Sequence, residues 1–364
     1  MRILFSACPM PGHVTTVLPL ALAAQDEGHE VVFATGADVT PLVRRHGIAT
    51  WTAGPTHQEA GGSATTDWLA YFARSARRRA ADLIPPAVAW RPDLVVAEEL
   101  ELAGPAVAAA SGARLVVHGL GAMPSIRAWD ALATTIDGLF VQWDLGLRAE
   151  SVRDAVYLEV CPPALRPAGE RIWWHTHDLR PVAGTGGALP AEMGRLPHRD
   201  TVHLTLGPAP GDSFPAALVG LASLDVNVVA GVGPAAGPAP FGPQPPHVLL
   251  APHLAHALLL PRCRLVVSQG GSGTMLGAFA HGLPQLVLPR DPDRFANAAA
   301  VVRAGAGLSL LPGEVTADAV AAAARRLLTE PSFGASAAWV QVEIASMSPA
   351  DAVIRSLTAV ASLR

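Results

Sequence analysis

The sequence predicts an α/β protein built as two doubly wound domains that face each other across a cleft. Three observations lead there. A chain of 364 residues is too long for one ordinary core and suits two domains of ~150–200 residues. Short apolar runs, of the kind found in strands buried on both faces, alternate with segments of helical spacing. That alternation occurs twice, on either side of the Gly- and Pro-rich stretch Pro181 to Pro197, which reads as the linker. Residues 1–190 form one expected domain and 191–344 the other, with a last helix in 345–364 packing back on the first.

The first forty residues set out strand, turn, helix and strand at Ile3 to Ser6, Pro9 to His13, Val17 to Glu27 and His29 to Ala34. Val17, Leu20, Ala21 and Ala24 recur at helical spacing, while Val31-Val32-Phe33 is a buried-strand run. The pattern returns with a strand at Leu94-Val95-Val96, an Ala-rich helix at Gly104 to Ser111 and a strand at Arg114 to Val117. Such alternation implies a parallel sheet covered by helices. Between these units, Gly61 to Trp90 and Ser125 to Glu150 read as helical stretches holding Trp68, Tyr71, Phe72, Trp129, Phe140 and Trp143. Aromatics on amphipathic helices suit either plain core or the lining of an apolar pocket.

After the linker, Val202 to Leu206 is a strand ending at Gly207, Phe214 to Leu221 a helix and Val226 to Ala230 a strand. The Pro and Gly content of Gly231 to Pro246 makes it a loop. Val248-Leu249-Leu250, Leu265-Val266-Val267 and Gln285 to Leu288 add buried strands, with helices at about Thr274 to His281 and Phe295 to Ala304. In this architecture ligands bind at the carboxyl ends of the strands.

Composition narrows the function. Half of the residues are hydrophobic and 15% are charged, yet no apolar run reaches the ~18 residues of a membrane helix. Met1 to Phe5 reads as a strand and lacks the charged leader and apolar core of a secretory signal, so a cytoplasmic location is expected. Cys8, Cys161 and Cys263 are odd in number and far apart, which supports neither a disulfide framework nor a zinc site; they read as buried thiols. A net charge of −4 gives no electrostatic reason to expect nucleic acid, and small ligands are the better expectation. Oligomeric state is not legible, and a homodimer stays open.

The strand Leu265-Val266-Val267 runs through Ser268 into Gln269-Gly270-Gly271-Ser272-Gly273-Thr274 and then into a helix. Glycines let a backbone approach a ligand closely, and the unpaired N–H groups of a first helical turn favour an anion. A tight strand-to-helix turn needs glycine for steric reasons too. No Lys follows the glycines, so this is not a Walker loop, and the spacing is not that of a dinucleotide fold.

A wider set of residues resembles, in order and spacing, the donor-site signature of the GT-B glycosyltransferases that attach sugars to natural products. It comprises Gly270-Gly271-Ser272-Gly273-Thr274, Ala280 to Gln285, Pro289, Asp293, Asn297 and Ala304 to Gly307. Pro11-Gly12-His13 followed by Pro19-Leu20-Ala21 is similar to that family's opening motif. Arg91 to Val96, Cys161-Pro162-Pro163 with Leu165-Arg166-Pro167, and Arg180-Pro181-Val182 extend the likeness over nearly the whole chain. The nearest likeness is to bacterial enzymes that move deoxysugars from dTDP onto polyketide aglycones.

The resemblance implies a nucleotide-sugar donor held by the backbone of Gly270 to Thr274, with Asp293 bonding sugar hydroxyls, while the aromatic-rich segments, through Trp68, Phe72, Trp129 and Trp143, suit a sizeable apolar acceptor. It implies an inverting transfer in which His13 is the general base, oriented by an acid just after Val95-Val96; Glu98, or next Glu99, stands there where Asp is more usual. A histidine suits the task because its ordinary pKa lies near neutrality, and a carboxylate on its other nitrogen fixes the tautomer. Neither cofactor nor metal is expected, since helix termini can neutralise the leaving diphosphate and no acidic cluster is arranged for an ion. Three residues depart from the pattern. Gln269 replaces a common histidine, Arg294 a frequent Gln, and Pro252-His253-Leu254 a segment that often carries Trp beside the base, leaving backbone groups of His253 and Leu254 to recognise it. These departures keep open a second class, an auxiliary glycosyltransferase-like protein that binds without transferring sugar.

Overall fold

In a computed structural model of the chain, residues 1–61, 67–122, 126–166, 172–182, 188–207, 211–233, 237–290 and 292–361 are described. They form two compact units. The first holds Met1–Val160, Ala168–Arg180 and Met347–Arg364, and the second Cys161–Pro167 and Pro181–Ser346.

In the first unit the chain alternates β1 (Arg2–Ser6), α1 (Pro11–Asp26), β2 (Glu30–Thr35), α2 (Thr40–Arg44), β3 (Ala49–Thr52), α3 (Trp68–Trp90), β4 (Leu94–Glu98), α4 (Gly104–Ser111), β5 (Arg114–His118) and α5 (Ile126–Gln142). β6 (Val156–Glu159) and β7 (His175–Asp178) complete a sheet of order β3-β2-β1-β4-β5-β6-β7, parallel at every pairing. Strands β1 and β4 are apolar runs buried on both faces, as covered parallel strands require. Because β1 has β2 on one side and β4 on the other, the order reverses between β1 and β4. That reversal is the position where doubly wound sheets open a crevice beyond their carboxyl ends.

The second unit repeats the plan with β8 (Thr201–Thr205), α6 (Ser213–Ala222), β9 (Asn227–Gly231), β10 (Val248–Ala251), α7 (His256–Leu259), β11 (Leu265–Ser268), α8 (Ser272–Ala280), β12 (Gln285–Val287), α9 (Pro292–Arg303), β13 (Gly307–Ser309), α10 (Ala317–Thr329) and α11 (Pro331–Ser346). Its sheet order is β10-β9-β8-β11-β12-β13, again parallel, and the reversal falls between β8 and β11. The last helix, α12 (Ala350–Ala361), belongs to the first unit, where Arg355 pairs with Glu27 at the end of α1.

The elements differ from the expectations above at several places. Helix α1 begins at Pro11 rather than near Val17, so His13 lies in its first turn and not in a loop. Pro at the first helical position brings its φ already near the helical value and gives up an N–H that has no partner there anyway. Helix α3 begins at Trp68 because Asp67 caps it, its side chain accepting from the Ala70 amide at 2.9 Å. Ser125 to Glu150 is not one helix: α5 stops at Gln142, and a 3₁₀ turn follows at Ala149–Asp154. Strands β3, β6, β7 and β13 had no counterpart in the reading of the sequence. β7, His-Thr-His-Asp at a sheet edge, carries no apolar run to reveal it.

Candidate functional site

The carboxyl ends of β1 and β4 bring His13 and Glu98 together. His13 Nδ1 stands 2.8 Å from Glu98 Oε1, and the Glu98 side chain is fully buried. Glu98 also accepts from the Cys8 amide at 3.1 Å and from the Leu100 amide at 2.7 Å. Burial alone would push this carboxyl up. The neighbouring His13 and the surrounding donors outweigh burial and hold it below the ordinary glutamate value. An ionised carboxylate only accepts, so Nδ1 must be the donor, and neutral His13 therefore carries its lone pair on Nε2. That nitrogen has no hydrogen-bond partner among the described residues.

Glu99, the other acid considered for this role, faces elsewhere. Its carboxyl accepts from Tyr157 Oη–H at 2.7 Å and from the Leu120 amide at 3.0 Å, and burial pushes it up to about 8. A second ionic group braces the same sheet edge. Arg79 of α3 is fully buried, forms an ion pair with Glu101, and donates to Ser6 Oγ at 3.0 Å, Ala34 O at 3.2 Å and Ala53 O at 2.9 Å. These bonds tie α3 to the ends of β1, β2 and β3.

The same helix carries the aromatics nearest His13. The Phe72 ring centroid is 6.2 Å from that of His13, and the Trp68 ring centroid is 6.3 Å from that of Phe72. The other two tryptophans are placed otherwise. Trp129 is 5% exposed and packs edge-on against Trp173 at 5.1 Å, and Trp143 packs on the same core. The core of the unit takes up the Trp129 ring, the plainer of the two roles its helix allows.

All three cysteines are buried free thiols. Cys8, however, lies beside the pair: its Sγ, a His13 ring nitrogen and a Glu98 oxygen all fall within 4.8 Å of one another. The spacing of cysteines along the chain carried no sign of this, because the partners come from α1 and from β4.

In the second unit the loop Gln269 to Gly271 leaves β11 at the reversal point and enters α8. Gly270 has φ +85°, and a Cβ there would stand 2.7 Å from Val287 Cγ1 and 3.3 Å from Arg294 O, so the fold itself demands glycine. At Gly273, in contrast, a Cβ would meet nothing within 4 Å. The bare backbone at Gly273 is not explained by packing. The amides of Ser272, Gly273 and Thr274 have no acceptor among the described residues, as expected of a first helical turn. Buried Asn297 of α9 holds the loop, donating to Gly270 O at 2.8 Å and to Ser272 Oγ at 3.0 Å.

Gln269 is 8% exposed, and its Oε1 has no partner among the described residues. Arg294 packs on Gly270, while the side chain of Asp293, next to it in the first turn of α9, lies outside the described residues. His253 is exposed and Leu254 buried in the segment after β10. That segment is anchored by His256, whose Nε2 lies 3.1 Å from Nε2 of buried His203. His203 Nδ1 donates to Val229 O at 2.9 Å, so its Nε2 must accept and His256 must be the donor.

One residue was missed in the sequence. Exposed Arg290, three residues past β12, lays its guanidinium against Gly211, three residues before Phe214 of α6; a Cβ on Gly211 would fall inside it. Strands β8 and β12 flank β11, so the cation spans the loops on either side of the glycine loop. Arg290 has no hydrogen-bond or ion-pair partner among the described residues.

Two Rossmann-like units, one with the His13–Glu98 pair and the other with the glycine loop at the reversal of its sheet, define the GT-B class of α/β protein. The glycosyltransferase VinC in complex with dTDP superposes with a TM-score of 0.83 over all of both chains at 27% identity. Residues 216–360 match the family described as erythromycin biosynthesis protein CIII-like, C-terminal domain. The chain is 34% identical to the elloramycin glycosyltransferase ElmGT of Streptomyces olivaceus over 99% of its own length and 97% of that protein. It is 31% identical to the L-demethylnoviosyl transferase of Streptomyces niveus over 85% of each. The chain belongs to the family of GT-B natural-product glycosyltransferases. Among the described residues no helix is long and apolar enough to cross a membrane.

Proposed function

We propose that the chain is an inverting, metal-independent transferase that moves a deoxysugar from a dTDP-linked donor to an apolar natural-product acceptor, with His13 as general base. The observation that carries this reading is the bond of 2.8 Å between His13 Nδ1 and the buried, ionised Glu98. It leaves the Nε2 lone pair to take the proton of an acceptor hydroxyl as that oxygen attacks the anomeric carbon. Glu98 then pairs with the imidazolium that forms. Phe72 and Trp68 supply the apolar wall beside that nitrogen.

The second unit binds the donor in this reading. The free amides of Ser272, Gly273 and Thr274 meet the diphosphate, Gly273 allows it close, and the positive end of α8 stabilises the leaving group. Gln269 cannot carry the charge a histidine could, and Arg290 supplies it instead. The unpartnered Gln269 Oε1 accepts from a sugar hydroxyl, Asp293 from another, and the segment His253-Leu254 meets the base. Relatives point the same way: VinC was crystallised with dTDP, and SsfS6 of Streptomyces sp. SF2575 with thymidine diphosphate.

Incubating the protein with dTDP-deoxysugars and a panel of polyketide aglycones, with products read by mass spectrometry, tests this. A glycosylated product whose anomeric configuration by NMR is opposite to the donor's supports it, and a retained configuration overturns the mechanism. Gln269 in place of histidine favours the second reading, an auxiliary protein. Tight dTDP binding with neither transfer nor hydrolysis would select it.

A further inference from the structure

Cys8, His13 and Glu98 join three different donor atoms at one point. The sulfur, a ring nitrogen of His13 and a carboxylate oxygen lie within 4.8 Å of one another, and Nδ1 is the nitrogen that stands 2.8 Å from Glu98 Oε1. Cys8 and Glu98 are each 1% exposed, whereas 17% of the His13 side chain is open, so the cluster is reached past the imidazole. We propose that these residues form an inhibitory site for a thiophilic divalent cation such as zinc, which takes the place now held by the proton between His13 and Glu98.

The donor set fits the cation. Zinc binds thiolate at ~2.3 Å, imidazole at ~2.0 Å and carboxylate at ~2.0–2.2 Å, and three protein ligands with one open position is a regular arrangement for it. A tetrahedral centre with those bond lengths sets its ligand atoms ~3.2–3.6 Å apart. The His13 and Glu98 atoms must therefore part slightly from 2.8 Å while Cys8 Sγ turns away from Leu100 O, its present acceptor at 3.3 Å. Glu98 keeps its bonds from the Cys8 and Leu100 amides, which orient it from the backbone. A thiolate and a carboxylate offset the two charges of the ion.

The balance of protons explains the inhibition. Binding releases the thiol proton to solvent and requires Nδ1 to give up its hydrogen, so neutral His13 becomes the Nε2–H tautomer. Its outward nitrogen then holds a proton and has no lone pair for an acceptor hydroxyl. This consequence rests on the proposed role of His13 as base, but the metal site itself does not.

Cobalt titration of the untagged full-length protein tests the site directly, because thiolate bound to Co²⁺ gives a charge-transfer absorption and a tetrahedral centre gives intense visible bands. The wild type is expected to bind one Co²⁺ with both signatures and to lose them when zinc is added. Cys8→Ser, which retains the backbone amide to Glu98, is expected to lose the charge-transfer band and to bind at least ~10–100-fold more weakly. His13→Gln, altered on the helix and not next to the strand, gives the same loss by a second route, with circular dichroism confirming that both variants fold. No charge-transfer band in the wild type, or equal binding by Cys8→Ser, overturns the proposal. In the transfer reaction zinc is expected to stop the wild type, EDTA to restore it, and Cys8→Ser to be unaffected. Cys8-dependent binding with undiminished transfer would uphold the metal site and remove His13 as the base.

Discussion

Replacing Glu98 by Gln probes the pairing on which His13 depends. Three donors aim at this side chain: the Cys8 amide at 3.1 Å and His13 Nδ1 at 2.8 Å meet Oε1, and the Leu100 amide at 2.7 Å meets Oε2. A carboxylate satisfies all three, whereas an amide offers one acceptor and one donor. With its oxygen toward His13, the Gln turns its NH₂ on the Leu100 amide, leaving a buried donor unsatisfied at a cost of about 1–3 kcal/mol in stability. The imidazolium formed during transfer then faces a neutral amide in place of a carboxylate. Exchanging a charged acceptor for a neutral one weakens the bond by about 1–2 kcal/mol, or ~10-fold in rate. With the amide turned over, NH₂ faces Nδ1, the proton of His13 moves to Nε2, and the ~10²–10⁴ of general-base catalysis is lost. Either orientation lowers kcat, by ~10-fold at the least and ~10⁴-fold at the most. Binding of dTDP, assigned to the other unit, stays as in the wild type. Steady-state transfer followed by chromatography and mass spectrometry measures the first effect, and isothermal titration the second. An unchanged kcat in a folded Glu98→Gln protein would refute the reasoning.

Arg290→Gln removes a charge-assisted contact of about 1.5–3 kcal/mol, so the Kd for dTDP should rise by ~10–100-fold while that for thymidine does not move; equal loss for both ligands would place Arg290 away from the phosphates. Adding Gln269→His to that variant should return part of the dTDP affinity, as titration calorimetry can show. Gly270→Ala combines a left-handed φ of +85° with a Cβ against Val287, so a loss of roughly 2–4 kcal/mol in urea unfolding is expected, and Gly273→Ala, with open space around it, should leave stability unchanged yet weaken dTDP binding. Buried His203 is held down at about 3, first by desolvation and then by His256. Its folded pKa lies below the unfolded value, so its contribution is complete above about pH 6.5 and is lost as pH falls below that. From pH 6.5 to pH 5 it should cost about 2 kcal/mol of stability, and His203→Gln should flatten the slope by about one proton; identical slopes would show that His203 titrates normally.

Much of the fold was legible because it is encoded locally. Leu265-Val266-Val267 and Leu94-Val95-Val96 are short, Val-rich and apolar on every residue, as strands covered on both faces are, and helices between them follow from spacing. Where the local signal is weak, the reading slipped. Pro11-Gly12 looks like a turn yet starts α1, since proline suits the first helical position, and polar β7 is a strand only because β6 offers it a partner. The glycine loop was readable for a similar reason: Gly270 must adopt a left-handed backbone that few other residues reach, and it adjoins a strand and a helix.

Residues near in space but distant in sequence were another matter. His13 and Glu98 are 85 positions apart, and they meet because β1 pairs with β4. A resemblance named both, but the local pattern does not tell which side of the sheet His13 lies on, and so not that Glu98, the last residue of β4, turns toward His13 while Glu99, just past it, turns to Tyr157. Cys8 beside that pair, Arg290 over Gly211 and Trp129 against Trp173 likewise depend on strand order and helix packing. The sequence by itself determined most of the buried strands and the helices between them, and where a glycine-lined loop enters a helix, because burial pattern and backbone strain act within a few residues. Tertiary structure alone decided which acid pairs with His13, which cation lies over Gly211 and which aromatics are core, because those outcomes rest on long-range pairing that local preference does not encode.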